Sequence, residues 1–175
     1  HKFVTTKTGK KSQIIVPIVS SDRREYIPVG ILPTSVVVTS KAYSIFDAKL
    51  YVLGILTSRI HMAWVRAVSG RLGTGFSYSS NICWNTFPIP ELSSDQISSL
   101  NALVIELLSV REDFPDQTMA ALYDPDTMPV ELRGAHNNID SLVDSFFSEN
   151  KLNTDEERLS ILFKYYKDMV EKKNA

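Results

Sequence analysis

The sequence predicts an α+β protein in two parts: a small β-rich unit with one long helix over residues 1–90, and an all-α unit over residues 91–175. Three observations point there. Short β-branched runs broken by Pro and Gly occupy the N-terminal part. Three amphipathic helical patterns occupy the C-terminal part. Between them, Pro88 and Pro90 flank Ile89, and two prolines so placed forbid a continuing helix or a central strand.

Residues 13–20, 26–32 and 34–39, the last containing Val36, Val37 and Val38, read as strands with Pro17 and Pro28 at edges or bulges. Asp47 is placed to cap a helix that runs to about Ser69 and closes at Gly70, with Leu53, Leu56, Ile60, Trp64 and Val68 as its buried stripe. Ser93 and Gln96 form a capping box ahead of Ile97, Leu100, Leu103, Val104, Leu107 and Leu108. Pro129 suits the first turn of a helix whose apolar face is Leu132, Ala135, Ile139, Leu142, Val143 and Phe146. Thr154 and Glu157 form a second capping box, ahead of Leu159, Leu162, Phe163, Tyr166 and Val170. The chain carries no internal repeat or low-complexity segment.

Composition narrows the class. At 175 residues, 43% hydrophobic and 22% charged, the chain has the makings of a globular core. The longest strongly apolar run, Leu50 to Leu56, is broken by Thr57, Ser58 and Arg59, well short of the roughly 20 residues that span a bilayer, so no membrane partner is expected. A single cysteine, Cys83, makes neither an internal disulfide nor a multi-thiolate zinc site; with no secretory signal at the start, a cytoplasmic location is expected. The first residue is not Met, which fits an expectation that these residues belong to something longer.

The formal net charge of -1 conceals two opposite halves. Residues His1 to Ser80 carry eleven Lys and Arg against three acids (Asp22, Glu25 and Asp47), a net of +8, whereas Asn81 to Ala175 carry eight against seventeen, a net of −9. The first half is a candidate polyanion-binding face. The same asymmetry also suits a protein-interaction scaffold whose basic half docks an acidic partner.

Around the end of the long helix the residue types favour contact with a duplex. Arg59 and Arg66 lie two helical turns apart, close to Arg71; with acids scarce nearby in the sequence, phosphate or base contact is expected over salt bridging. Gly73, Thr74 and Gly75 form a loosened turn, and Ser77, Tyr78, Ser79 and Asn81 add neutral donors and acceptors suited to bases and sugars. These polar groups equally suit strand-end backbone, and Phe76 and Tyr78 equally suit core packing or base stacking. Trp64 lies on the apolar stripe and is expected in the core. Lys10, Lys11, Arg23 and Arg24 are expected phosphate contacts.

Catalytic constellations are missing from the pattern. Gly70, Gly73 and Gly75 have neither dinucleotide-loop nor P-loop spacing. Asp113 and Asp116 with Glu149 and Lys151 spell an acid-acid-lysine series, but Glu149 falls at a helix end, where no strand aims it at a metal. Asp124-Pro125-Asp126 and Asn85-Thr86-Phe87-Pro88 lack the tandem prolines and aromatic of a base-holding methyltransferase loop. His1, His61 and His136 have no metal-ligand spacing, and no Gly-x-Ser-x-Gly elbow exists. For this chain alone, no catalytic residue, metal or cofactor is expected.

His61-Met62-Ala63-Trp64, then Gly70-Arg71-Leu72 with Ser77-Tyr78-Ser79, then Asn85-Thr86-Phe87-Pro88-Ile89-Pro90 together resemble the target-recognition domain of MmeI-like restriction-modification enzymes. The resemblance extends upstream through Tyr26-Ile27-Pro28-Val29-Gly30 and Leu50 to Ser58. Downstream, Ala121-Leu122-Tyr123-Asp124-Pro125 and Met128 to His136 resemble the family's C-terminal helical domain, so nearly the whole chain from about residue 13 is covered. The resemblance implies double-stranded DNA as partner. It also implies an upstream adenine-N6 methyltransferase domain of the same polypeptide that binds S-adenosylmethionine, and a nuclease domain that uses Mg when active. In the family, the positions one and three after Gly70-Arg71-Leu72 carry side chains that read a base pair. Here they are Gly73 and Gly75, so either Thr74 and its neighbours read that pair or recognition there is relaxed.

Overall fold

A computed structural model describes residues 7–174; His1, among the histidines considered above, lies outside the described residues. Two antiparallel three-stranded sheets form the N-terminal part. The first orders β1 (Ser12–Pro17) between β3 (Gly30–Pro33) and β4 (Ala42–Phe46). In the second, β6 (Gly75–Ser77) lies between β2 (Val19–Ser21) and β5 (Gly70–Leu72). Ile18 joins them: its N–H donates to the Lys41 carbonyl at 3.1 Å and its carbonyl accepts the Tyr78 N–H at 2.6 Å.

The strand expected over 34–39 is a loop, and the strand that pairs with β1 begins at Ala42. Buried Gln13 explains the difference, because its side-chain amide donates to the carbonyls of Pro33 (3.2 Å) and Val36 (2.6 Å) and so holds the chain in a turn. Such a side-chain bond offers the backbone an alternative to the ladder.

The expected long helix is two: α1 (Leu50–Leu56) and α2 (Arg59–Val68). Ser58 breaks it. Its backbone is extended (φ -77, ψ 155), its hydroxyl donates to the Ile55 carbonyl at 2.7 Å, and the same oxygen accepts the His61 N–H at 3.4 Å, which ends one helix and caps the next. Nor is Asp47 a helix cap. It adopts φ 53, and its carboxylate accepts the backbone N–H groups of Lys10 (2.8 Å), Lys11 (2.6 Å) and Ser12 (3.4 Å). These bonds hold the Asp47 carboxyl below its usual pKa range.

The C-terminal part holds α3 (Ser94–Glu112), the short α4 (Met119–Leu122), α5 (Val130–Ser145) and α6 (Asp155–Asn174). Both expected capping boxes are in place: Ser93 N–H donates to Gln96 Oε1 at 2.9 Å with the reciprocal bond at 3.2 Å, and Thr154 and Glu157 exchange bonds at 3.2 Å each. Phe163, assigned above to an apolar face, is half exposed, with its ring over Trp64 at 5.4 Å.

One buried cluster runs through both parts. Helix α1 crosses α3 at Gly54, where a Cβ would stand 2.7 Å from Leu100 Cδ1 and 2.8 Å from Val104 Cγ2, so only glycine permits this approach. Arg111 on α3 reaches back to the Val29 carbonyl at 2.9 Å. Leu53, Leu56, Ile60 and Trp64 are all buried in this core.

Candidate nucleic-acid interface

Strands β5 and β6 form a hairpin that pairs Leu72 with Gly75 around a two-residue turn, Gly73-Thr74. Gly73 has φ +59, the positive value that the first position of such a turn requires and that L side chains disfavour. Gly75 is needed for a different reason. A Cβ there would lie 2.5 Å from the Ser20 carbonyl of β2. Among the described residues nothing lies within 4 Å of the Cβ position of Gly70.

The hairpin projects Arg71, Leu72, Gly73 and Thr74 into solvent, with Leu72 58% exposed. Arg71 lies opposite Phe76, which lies opposite Ser20, so these three share one face of the sheet. Phe76 is buried, and its anchoring in the core fixes the base of the hairpin.

After β6 the chain goes inward. Tyr78 is 2% exposed and its hydroxyl pairs with His61 Nε2 at 3.2 Å. Of the two roles open to Phe76 and Tyr78, the structure places both in the core. Burial drives the His61 pKa down to about 3, so the imidazole is neutral, and drives the Tyr78 hydroxyl up. The chain then makes a π-helical turn, Ser80–Trp84, closed by Asn85 N–H on the Ser80 carbonyl at 2.9 Å. Thr86 Oγ1 donates to the Ile82 carbonyl and accepts Trp64 Nε1–H at 3.2 Å, which ties the turn to α2. Ser77 and Ser79 are half-buried, whereas Asn81 and Asn85 are exposed and joined at 3.4 Å.

The basic residues divide into two groups. Lys10 and Lys11 are exposed beside the Asp47 carboxylate, and Arg23 is exposed and paired with Asp126 at 2.6 Å. That pair raises the Arg23 pKa further. Half-buried Arg24 donates to Ser20 Oγ at 3.2 Å. Among the described residues Arg71 has one ion partner, Asp22, at 3.7 Å.

Arg59 and Arg66 are engaged inside the protein, which corrects the expectation that acids are scarce around them. Arg59 pairs with Glu25 at 3.3 Å, and Glu25 also holds Arg133 of α5. Arg66 donates to Asp155 of α6 at 2.9 Å and to the Arg24 carbonyl at 2.9 Å. Glu25 comes from the turn before β3 and Asp155 from the sequence-distant α6, where a scan of local sequence does not find them.

Behind this face a buried network joins the two parts. The Tyr26 hydroxyl donates to Asp140 at 2.8 Å, and the Arg59 N–H donates to the same carboxylate at 2.7 Å. Burial raises Asp140 to about 6 despite those bonds. His136 Nε2 pairs with the Tyr123 hydroxyl at 2.8 Å, and Arg111 Nε donates to that hydroxyl at 2.9 Å. His136, weighed from sequence only as a metal ligand or a helix-face hydrogen bonder, is the latter, whereas Asp140 was not singled out from sequence, since nothing local marks which polar residue of α5 faces the core. Among the described residues no group of three His, Cys, Asp or Glu side chains is arranged to hold a metal, and no helix is long and apolar enough to cross a membrane.

An α+β unit with an exposed hairpin, packed on a helical bundle, is thus the class that the fold defines. Residues 1–91 match the family described as MmeI, target recognition domain, and residues 92–173 match that described as MmeI, C-terminal domain. The chain belongs to the MmeI target-recognition family. It is 44% identical over 171 residues to DNA methyltransferase A of Bacillus subtilis (strain 168), an alignment that takes in 98% of this chain and 19% of that protein. It is also similar to the type IIL restriction-modification enzyme MmeI, solved in complex with DNA, with 33% identity and a TM-score of 0.90 over 94% of this chain and 22% of that one. The chain therefore spans about a fifth of the length of the relatives it matches.

Proposed function

We propose that this chain is the sequence-reading portion of a site-specific adenine-N6 DNA methyltransferase, or of a fused restriction-modification enzyme. It binds duplex DNA and presents the target adenine to a catalytic domain elsewhere in the same polypeptide. The observation that carries the reading is the projecting hairpin: Arg71, Leu72 and Thr74 stand in solvent on the edge strand β5 and its turn, held to the three-stranded β2-β6-β5 sheet through buried Phe76. Sheet-type readers place strands in a DNA groove, and in the major groove guanidinium, hydroxyl and methyl groups meet base edges. Likeness to a protein solved in complex with DNA supports the reading.

Lys10, Lys11, Arg23 and Arg24 hold the duplex by its phosphates, and Ser77, Ser79 and Asn81 serve sugars and base edges near the hairpin. Because Gly73 and Gly75 offer only backbone, Thr74 is the side chain at the tip available to read. Arg59 and Arg66 support the interface through the acids they hold. S-adenosylmethionine, and Mg for a nuclease-active relative, belong to the upstream domains; S-adenosylmethionine there supplies the methyl group.

Methylated adenines mapped by modified-base sequencing test the proposal, comparing cells that carry the full-length polypeptide with cells whose copy has Arg71→Ala and Thr74→Ala. One motif methylated by the first, and lost or relaxed in the second, is expected. A motif that both substitutions leave unchanged places base reading elsewhere.

A further inference from the structure

A chain of polar contacts runs from the helical bundle to the exposed arginine of the hairpin. Asp155, at the start of α6, accepts Arg66 Nη1 at 2.9 Å. Arg66 Nη2 donates to the Arg24 carbonyl at 2.9 Å and the Asp22 carbonyl at 3.5 Å, and so grips both ends of the Asp22–Arg24 turn. The turn is held from the other side as well, by Arg23 N–H on Ser21 Oγ at 3.3 Å and by Arg24 Nη1 on Ser20 Oγ at 3.2 Å. From that clamped turn the Asp22 carboxylate stands 3.7 Å from Arg71 Nη1, with the two side chains 41% and 56% exposed.

A surface ion pair of this kind contributes little to stability. Its geometric effect is larger. Arg71 is a long side chain on an edge strand, and freezing it on a ligand costs rotamer entropy. Asp22 faces Nη1 at ion-pair distance, while Nε and Nη2 carry no hydrogen bond among the described residues. Those two groups form the planar edge that makes paired hydrogen bonds to a base, most often to O6 and N7 of guanine.

We propose that Asp22 is a specificity-positioning residue: anchored through Arg66 to Asp155, it orients Arg71 so that the Nε and Nη2 edge reads a guanine in the major groove. The assignment rests on the proposed DNA reading. It also gives the helical bundle a part in recognition, since α6 supplies the carboxylate that fixes the turn. Arg66 then acts through Asp22.

Selection from a pool of randomised DNA duplexes by the full-length polypeptide tests this, with wild type beside Asp22→Asn, Asp22→Glu, Arg71→Ala and the Asp22→Asn/Arg71→Ala pair. Unchanged melting temperatures establish that the variants fold. Arg71→Ala is expected to lose preference for one G·C pair, on the order of 10- to 100-fold. Asp22→Asn loosens the same pair and no other, keeps the wild-type dependence of affinity on salt, and is restored by Asp22→Glu. The double variant is no worse than Arg71→Ala, as residues acting in series require.

A wild-type motif that Asp22→Asn leaves intact overturns the assignment alone. So does a loss spread evenly over all positions, or a double variant whose losses add. A wild-type protein that selects no motif overturns the proposed function and this assignment together.

Discussion

Tyr26 stacks on His136 at a ring-centroid separation of 4.0 Å and an interplanar angle of 18°, which joins the turn before β3 to the middle of α5. The same tyrosine donates its hydroxyl to Asp140, one turn further along α5. Tyr26→Phe keeps the stack and removes that donor, leaving a buried carboxylate with the Arg59 N–H. The expected cost is about 1–3 kcal/mol, read as a lower urea midpoint. Since the contacts cross from the N-terminal part to the helical part, tryptophan fluorescence and circular dichroism should report one coincident transition.

The Gly54 contact makes a sharper prediction about the α1/α3 crossing. Gly54→Ala would improve intrinsic helix propensity, yet its methyl meets Leu100 and Val104 at less than van der Waals distance. Overpacking should outweigh propensity, with a net loss of about 1–3 kcal/mol in chemical denaturation. A gain in stability would show that the two helices separate easily.

Two hairpin glycines should respond differently. Gly70→Ala meets open space and is expected to leave stability and DNA affinity close to wild type. Gly75→Ala drives a Cβ into the Ser20 carbonyl, so β2 and β6 must separate. Thermal melting should fall for Gly75→Ala alone, and its affinity for duplex DNA should fall with it.

Acid sensitivity follows from His61. Its folded pKa of about 3 lies below the ordinary value of about 6.5, so between these limits the unfolded chain binds a proton that the folded one refuses. The contribution is fully present above about pH 6.5 and is lost as pH falls toward 3. Near pH 5 the loss amounts to about 2 kcal/mol. Asp140, raised to about 6, works in the other direction between about pH 4 and 6, because there the folded state binds the proton. His61→Gln, which keeps a neutral partner for Tyr78, should therefore flatten the rise of stability with pH relative to wild type, as read from urea midpoints at pH 5 and pH 7.

Local rules predicted the helical part well because its signals are local. A serine or threonine three residues ahead of a Gln or Glu satisfies helix-end N–H groups whatever the chain packs against, and Ser93 and Thr154 both do so. The hairpin was legible as a glycine-loosened turn bearing Arg71 and Thr74, though not as paired strands. Other features were misread where a distant group decided the matter. Val36 to Val38 have strand propensity, but Gln13 holds their backbone in a loop. Asp47 has the chemistry of a helix cap, but the N–H groups of Lys10 to Ser12 claim it first.

Arg59 and Arg66 mark the boundary most clearly. By itself the sequence determined that both lie on a basic helix and that acids concentrate in the other half, since charge and periodicity are properties of the residues alone. Which acids meet which arginines was decided only when α6 and the turn before β3 packed against α2. That packing brought Asp155 to Arg66 from 89 positions away, and Glu25 to Arg59 from 34. An arginine takes the partner whose carboxylate folding brings within reach, and sequence spacing carries no record of that distance.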